Sequence, residues 1–305
     1  MPHHVPSSPG GWIGPDRPGP TDLIAELWRY PRRAVQHRDL VHTWFRREWR
    51  ARFLGTALGP LWPFVQPLAL FCVYAFVFSE LFGLRPAAPG ASPALGAVWI
   101  FAGVLVWSSF AECVSRASTA FLEHRNLVQR SSFPADLLVL QPVLTSGATL
   151  AVGASVFCCV AWFVAGTHPS LVHLAYFGAL IALHFAWMLG VALTLACAQV
   201  VLRDTAGLVG VALTVWMFAT PIFWVADPAA LPAIEPWLGW IEANPMHSLV
   251  EAWRWTLLGE SAAPFARAEL GADLVRFAPW AIGALFIGLA SARTMRGNLS
   301  DEVAA

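Results

Sequence analysis

The chain has 305 residues, 57% of them hydrophobic and 12% charged, with a mean hydropathy of +0.58. Soluble domains carry roughly 25% charged residues, so this composition excludes an ordinary soluble protein and reads as an all-α integral membrane protein with several spans. The formal net charge is zero, but arginine placement says more about topology than the sum does.

Residues 1–20 are rich in Pro, Gly and Ser and show no apolar periodicity, which predicts disorder within a cytoplasmic N-terminal segment, 1–37. Thr21-Asp22 caps a short helix there, stopped after Tyr30 by Pro31. From 38 to 54 a second helix sets Val41, Phe45, Trp49 and Phe53 at i, i+4 spacing, with Arg46, Arg47 and Arg50 on the other side. This is the pattern of an amphipathic helix in the membrane surface, arginines toward lipid phosphates. A solvated basic collar that merely sets topology fits the same residues. Glu48 and Arg52 interrupt the stripe, four apart in the favourable order for an ion pair; Arg52 against an anionic headgroup is the alternative.

Six apolar stretches follow, at about 58–79, 94–112, 137–165, 171–200, 205–223 and 277–295, read as crossings of a hydrocarbon core of about 30 Å. Pro60, Pro63 and Pro67 sit in the first turns of the first span, where a missing N–H matters least. The polar stretch 115–136 reads as a loop between spans, holding a short amphipathic helix that ends before Pro134. After the fifth span, two helical segments within 225–276 are too polar to cross but rich in tryptophan, which predicts interfacial helices forming a mouth or gate. The sixth span is the shortest, the transmembrane domain covers 38–297, and 298–305 is a polar tail. With the N-terminus inside, only Arg85, Arg254, Arg267 and Arg276 of the 19 arginines fall outside, leaving fifteen in the cytoplasm. Both termini are therefore expected to be cytoplasmic.

No paired carboxylates, metal-ligand spacing or nucleophile elbow mark a catalytic centre. The five cysteines lie in apolar runs and read as small hydrophobes, and His173 and His184 as packing residues rather than ligands. Of the carboxylates only Glu80 and Glu112 approach the spans, both near span ends, which argues against an ion-coupled carrier. The sequence has no lysine, and a phosphate-binding P-loop needs one. Any ATP that drives this protein must then be hydrolysed by another polypeptide. Aromatic side chains crowd the first two spans, among them Tyr74, Phe78, Trp107 and Phe110. They could line a groove along which sugar rings slide; packing against lipid and other helices is the alternative, and buried Tyr74 or Trp107 would need a partner for its polar tip. Glu123, His124, Arg125, Asn126 and Arg130 form a candidate docking knob for a cytoplasmic partner, or else an ordinary solvated loop.

These residues carry a resemblance. The stretch 50–63, Arg-Ala-Arg-Phe-Leu-Gly-Thr-Ala-Leu-Gly-Pro-Leu-Trp-Pro, leads into the first span; 126–134 reads Asn-Leu-Val-Gln-Arg-Ser-Ser-Phe-Pro. Arg203-Asp204, Pro221-Ile222-Phe223 and Asn244-Pro245-Met246 follow in order. From about Arg38 to Arg293 the chain resembles the membrane-spanning subunit of type-2 ATP-binding-cassette exporters that move lipid-linked polysaccharide such as O-antigen, capsule or teichoic acid. It departs from that pattern at Gln129-Arg130, where the family carries lysine-type basic residues. The resemblance implies a homodimer with two cytoplasmic ATPase subunits, which use ATP and Mg, and no cofactor or metal in this chain. It makes 115–136 the coupling helix, and makes the segment after Trp224 a re-entrant gate at the outer mouth, with Pro221, Ile222, Phe223, Asn244 and Pro245 as the outer-gate residues. The amphipathic helix would border the entrance for the lipid-pyrophosphate end, with Arg46, Arg47, Arg50 and Arg52 facing it. A lipid or drug exporter of the same fold, a membrane scaffold and a glycan-modifying enzyme are the competing readings.

Overall fold

The computed structural model describes residues 20–77, 93–128, 134–167, 171, 175–229, 231–263, 265 and 270–295. Among these residues all regular structure is helical. Phe78, Glu80, Arg130 and His173, together with the tail 298–305, lie outside the described residues.

Helix α1 (Pro20–Gln36) does not stop at Pro31. A proline removes one helical hydrogen bond, and here tertiary contacts hold the helix on both sides of it. Tyr30 Oη donates to the carbonyl of Asp136 at 3.2 Å. Arg33 bridges Glu26 (2.9 Å) and Asp136 (3.1 Å), and Glu26 lies 3.6 Å from Arg293. The helix expected from Thr21 to Tyr30 thus runs on to Gln36 and is docked, while residues 1–19 lie outside the described residues. Helix α2 (Arg38–Ala51) has no fully buried residue. Its aromatic stripe forms a ladder, Phe45 to Trp49 at 5.9 Å and Trp49 to Phe53 at 5.6 Å, while Arg46, Arg47 and Arg50 are exposed.

Helices α3 (Trp62–Tyr74) and α4 (Pro93–Glu123) follow. The most apolar window of α4 is 78% enclosed by the rest of the chain, against 28% for the windows in 135–165 and 271–295. It is the central post of the bundle. Helix α4 also runs well past its apolar stretch, so the loop expected from 115 begins only at His124, before the short α5 (Arg125–Val128). The sequence between Ser115 and Glu123 has no breaker, and Ala117, Ala120 and Phe121 continue the buried face, so the helix propagates although its other face turns polar.

A 3₁₀ turn, Ala135–Val139, leads into α6 (Leu140–Val160), followed by α7 (Phe177–Val201) and α8 (Thr205–Ala219). Helix α11 (Leu270–Met295) begins earlier than the expected sixth span, because Asp273 is buried against Leu274 and Phe277 instead of marking an exposed end. Helices α7 and α11 meet backbone to backbone. A Cβ on Gly190 would lie 2.3 Å from the Ala284 carbonyl carbon, and one on Gly288 2.4 Å from the Gly190 oxygen. Small residues at such crossings let main chains touch, the usual device of helix pairs in lipid.

Among the described residues four helical stretches are long and apolar enough to cross a bilayer, 94–123, 135–165, 177–201 and 271–295. The other two expected spans are represented by shorter apolar helices, Trp62–Val77 and Thr205–Ala219. At 1.5 Å per residue these reach roughly 22–24 Å of a core near 30 Å. Helix α8 leaves Leu208, Val211, Val215 and Phe218 exposed along one face.

The tryptophan-rich segment differs from expectation. Helix α9 (Leu238–Ala243) leaves Trp240 exposed, as an interfacial helix does, but α10 (Pro245–Leu258) is buried from Met246 to its end. Packing against α4, α7 and α11 encloses it within the bundle.

Candidate functional site

Three features are strung along α4. At its C-terminal end Glu123, His124, Arg125 and Asn126 are all exposed, over a base of buried Phe121 and Val128. The turn is braced locally. Thr119 Oγ1 donates to Glu123 at 2.6 Å, and His124 Nδ1 donates to the Ala120 carbonyl at 3.0 Å. A cleft of about 250 Å³ beneath it is shared with α2, through Trp44, Arg47 and Glu48. The cleft thus sets the knob beside the amphipathic helix.

Two turns further into the bundle lies a charge knot. Arg116 pairs with Glu48 at 2.6 Å and with Glu112 at 3.3 Å. Arg52 pairs with Glu112 and donates to Thr149 Oγ1 of α6 at 3.0 Å. The expected Glu48–Arg52 pair is thus exchanged: Glu48 reaches across to α4, and Arg52 turns inward from the end of α2. Burial, then the neighbouring Arg116, push the Arg52 guanidinium down to about 10, against the opposing pull of Glu48; it remains charged at neutral pH. Two carboxylates balance two arginines, so Arg52 is committed inside the fold, whereas Arg46, Arg47 and Arg50 remain open to a phosphate. From the knot a groove of about 500 Å³ rises between α3, α4 and α6. Its α4 wall runs from Arg116 to Phe101, roughly 22 Å at 1.5 Å per residue. Trp49, Phe53 and Trp62 line it together with Gln66, Ser108 and Ser109, so aromatic surface shares its walls with hydroxyl and amide groups.

At the N-terminal end of α4 an arginine clamp joins three elements. Arg254 of α10 is fully buried. It donates to the carbonyls of Trp99 (3.2 Å), Pro221 (3.0 Å) and Ile222 (2.9 Å) and pairs with Glu251 at 2.6 Å. Its guanidinium carbon stands 3.3 Å from the Trp99 ring centroid, a cation–π contact. Space for it exists because residue 103 is glycine: a Cβ there would lie 2.6 Å from Arg254 Nη2. Asn244 adds a second tie. It caps α10 by accepting from Met246 N, accepts from Trp216 Nε1 at 2.9 Å, and donates to Thr220 Oγ1 at 3.0 Å. Beside it a cavity of about 600 Å³ is walled by Trp216, Trp224, Trp237, Trp240 and Trp280.

The structure therefore brings Pro221, Ile222, Asn244 and Pro245 together through Arg254 and Asn244, and sets the Phe223 ring 5.8 Å from Tyr74. Trp107 and Phe110 are corrected as groove residues. They are buried, packed with Trp187, Phe277 and the half-buried Trp216 in an aromatic core at ring spacings near 6 Å. Their size made them conspicuous, and size is also what fills a core. Sequence reasoning missed Arg254 as a structural centre; the available signal was an arginine three residues after a glutamate among tryptophans.

The ABC-2 type transporter family model matches residues 39–258. Among curated relatives, an O-antigen export system permease protein RfbA of Myxococcus xanthus is 27% identical over 230 residues, covering 74% of this chain and 83% of the relative. Two proteins of the same name from Klebsiella pneumoniae are 23% and 22% identical over 216 residues, each covering 71% of this chain and 79% of the relative.

Proposed function

The chain belongs to the ABC-2 type transporter family as a membrane permease, and on that footing we propose that it exports a lipid-linked polysaccharide of the O-antigen, capsular or teichoic kind. Family membership makes it a multi-pass membrane protein working with an ATPase subunit. In the proposed assembly two copies pair and two ATPase subunits dock on their cytoplasmic face; ATP and Mg are used there. Both termini lie in the cytoplasm, the membrane is the bacterial inner membrane, and the domain 38–297 crosses it six times once α3 and α8 are counted with their flanks. Helices α9 and α10 form the outer gate, entering and leaving on the same side.

The relatives' names support the polymer, and the groove supports its chemistry: aromatic faces together with hydroxyl and amide groups suit a sugar chain that must bind and let go. Arg46, Arg47 and Arg50 would meet the pyrophosphate, with Arg52 steadying the end of their helix.

One observation carries the mechanism. Helix α4 is unbroken for 31 residues, about 46 Å; it carries Trp99 of the arginine clamp, Glu112 and Arg116 of the charge knot, and at its C-terminal end Glu123, where the exposed knob begins. A push on Glu123–Asn126 would travel along α4 to Trp99 and pass through Arg254 to Pro221–Ile222. The test is the pair Glu123→Ala and Arg125→Ala in one protein. Both side chains are exposed, so the variant should fold and reach the membrane with unchanged thermal stability, yet lose polymer export and export-linked ATPase stimulation. Full export by that variant would remove the docking role.

A further inference from the structure

We propose that α1 is a strap in the coupling path, with Arg33 its positioning residue. Arg33 and Tyr30 hold the turn that follows the docking knob, Glu26 holds the end of α11, and displacement of the knob is thereby delivered to α11 as well as to α4. The strap presupposes the docking role of Glu123–Asn126.

Helix α1 turns polar residues inward. Glu26, Tyr30 and Arg33 share one face, and Glu26 and Tyr30 are only 2% and 3% exposed. Ile24, Trp28 and Val35 are exposed on the other side. Directional bonds therefore fix where the helix sits. Arg33 Nη2 reaches Glu26 at 2.9 Å and Asp136 at 3.1 Å, and Tyr30 Oη donates to the Asp136 carbonyl at 3.2 Å. Asp136 belongs to the turn Ala135–Val139, the first described element after the knob helix α5. Glu26 lies 3.6 Å from Arg293 in the last turn of α11, the helix that meets α7 backbone to backbone. Both carboxylates are buried, so neither can part from its cations cheaply.

What the junction demands is one positive nitrogen. Both ion pairs of Arg33 come from the same atom, Nη2, while its Nε is buried without a hydrogen bond among the described residues. The planar fork that distinguishes arginine goes unused, so a lysine ammonium, with three donors on one atom, meets the same need. A methionine does not.

The experiment follows backbone hydrogen exchange by mass spectrometry in the full chain with its ATPase subunit in nanodiscs, without nucleotide and with ATP and vanadate. In the wild type, trapping the nucleotide should change exchange at 123–128, and at 20–36 and 286–295 along with it. Tyr30→Phe, Arg33→Met and Asp136→Asn in one chain cut the tie to the turn yet strand no carboxylate, since Glu26 keeps Arg29 and Arg293. The change at 20–36 and 286–295 should then fall about tenfold, within the span of coupling changes made by residues that touch neither ligand, while the change at 123–128 persists. A purely structural role would shift both nucleotide states alike and leave their difference intact. Arg33→Lys alone should keep the wild-type response. Should the triple variant fail to assemble, Tyr30→Phe alone decides, with a fall of about threefold. A response at 20–36 and 286–295 that survives the cut, or a lysine variant as silent as the triple one, would overturn the strap and leave the docking knob in place. Silence at 123–128 in the wild type would count against the docking reading and overturn both.

Discussion

Arg254→Met tests whether the buried clamp holds the α10 segment in place. Methionine keeps much of the length and volume of the side chain but removes the charge and every donor. The substitution strands Glu251, which is buried and pairs with Arg254 at 2.6 Å. Breaking one side of a buried ion pair costs about 3–5 kcal/mol. It also leaves the carbonyls of Trp99, Pro221 and Ile222 without this donor, each worth up to roughly 1–3 kcal/mol if no water reaches it. Allowing for relaxation, the total is on the order of 5 kcal/mol. At roughly 2–4 °C per kcal/mol for chains of this general size, the apparent Tm should fall by about 10–20 °C. The assay heats detergent-purified protein and follows the monodisperse fraction by size-exclusion chromatography. The double variant Arg254→Met, Glu251→Leu carries no stranded carboxylate and should recover about half of the loss. Gly103→Ala, whose new Cβ would press on Nη2, should lower Tm in the same direction. A single variant that melts within about 2 °C of the wild type, or a double variant less stable than the single, would refute the reasoning.

Three further outcomes are expected. Trp107→Ala should lose about 3–5 kcal/mol of stability by opening a hole in the aromatic core, whereas Trp240→Ala, exposed at the tryptophan cavity, should leave Tm unchanged and slow export; thermal melts and polymer export rates separate the two. Glu112→Gln should destabilise more than Glu48→Gln, because Glu112 serves both Arg52 and Arg116 in a more buried setting, and the half-exposed Glu48 pair is worth about 0–1 kcal/mol; equal melting shifts would contradict that order. Gly190→Val should weaken the α7–α11 crossing by at least about 1–3 kcal/mol, measured as a lower Tm, since its new carbons would meet the Ala284 backbone.

What could be read without coordinates were properties that each stretch carries by itself. Long runs such as 177–201 and 137–165 are apolar on every side, so their helical, membrane-spanning character follows from local composition. The exposed turn at Glu123–Asn126 was legible because four polar residues sit over a hydrophobic base. Tertiary structure decided what those residues do to one another. Pro31 fails to end α1 because Glu26, Tyr30 and Arg33 are held by residues more than a hundred positions away. Arg52 leaves Glu48 for Glu112, Trp107 becomes core while Trp62 becomes groove wall, and Arg254, which looked like an outer charge, becomes the tie between α4, α8 and α10. In a bilayer the apolar pattern only separates helix from solvent and does not say which face meets protein and which meets lipid, since both environments are equally oily. That choice is made by close packing and by the pairing of a few buried polar atoms, and their partners lie far away along the chain.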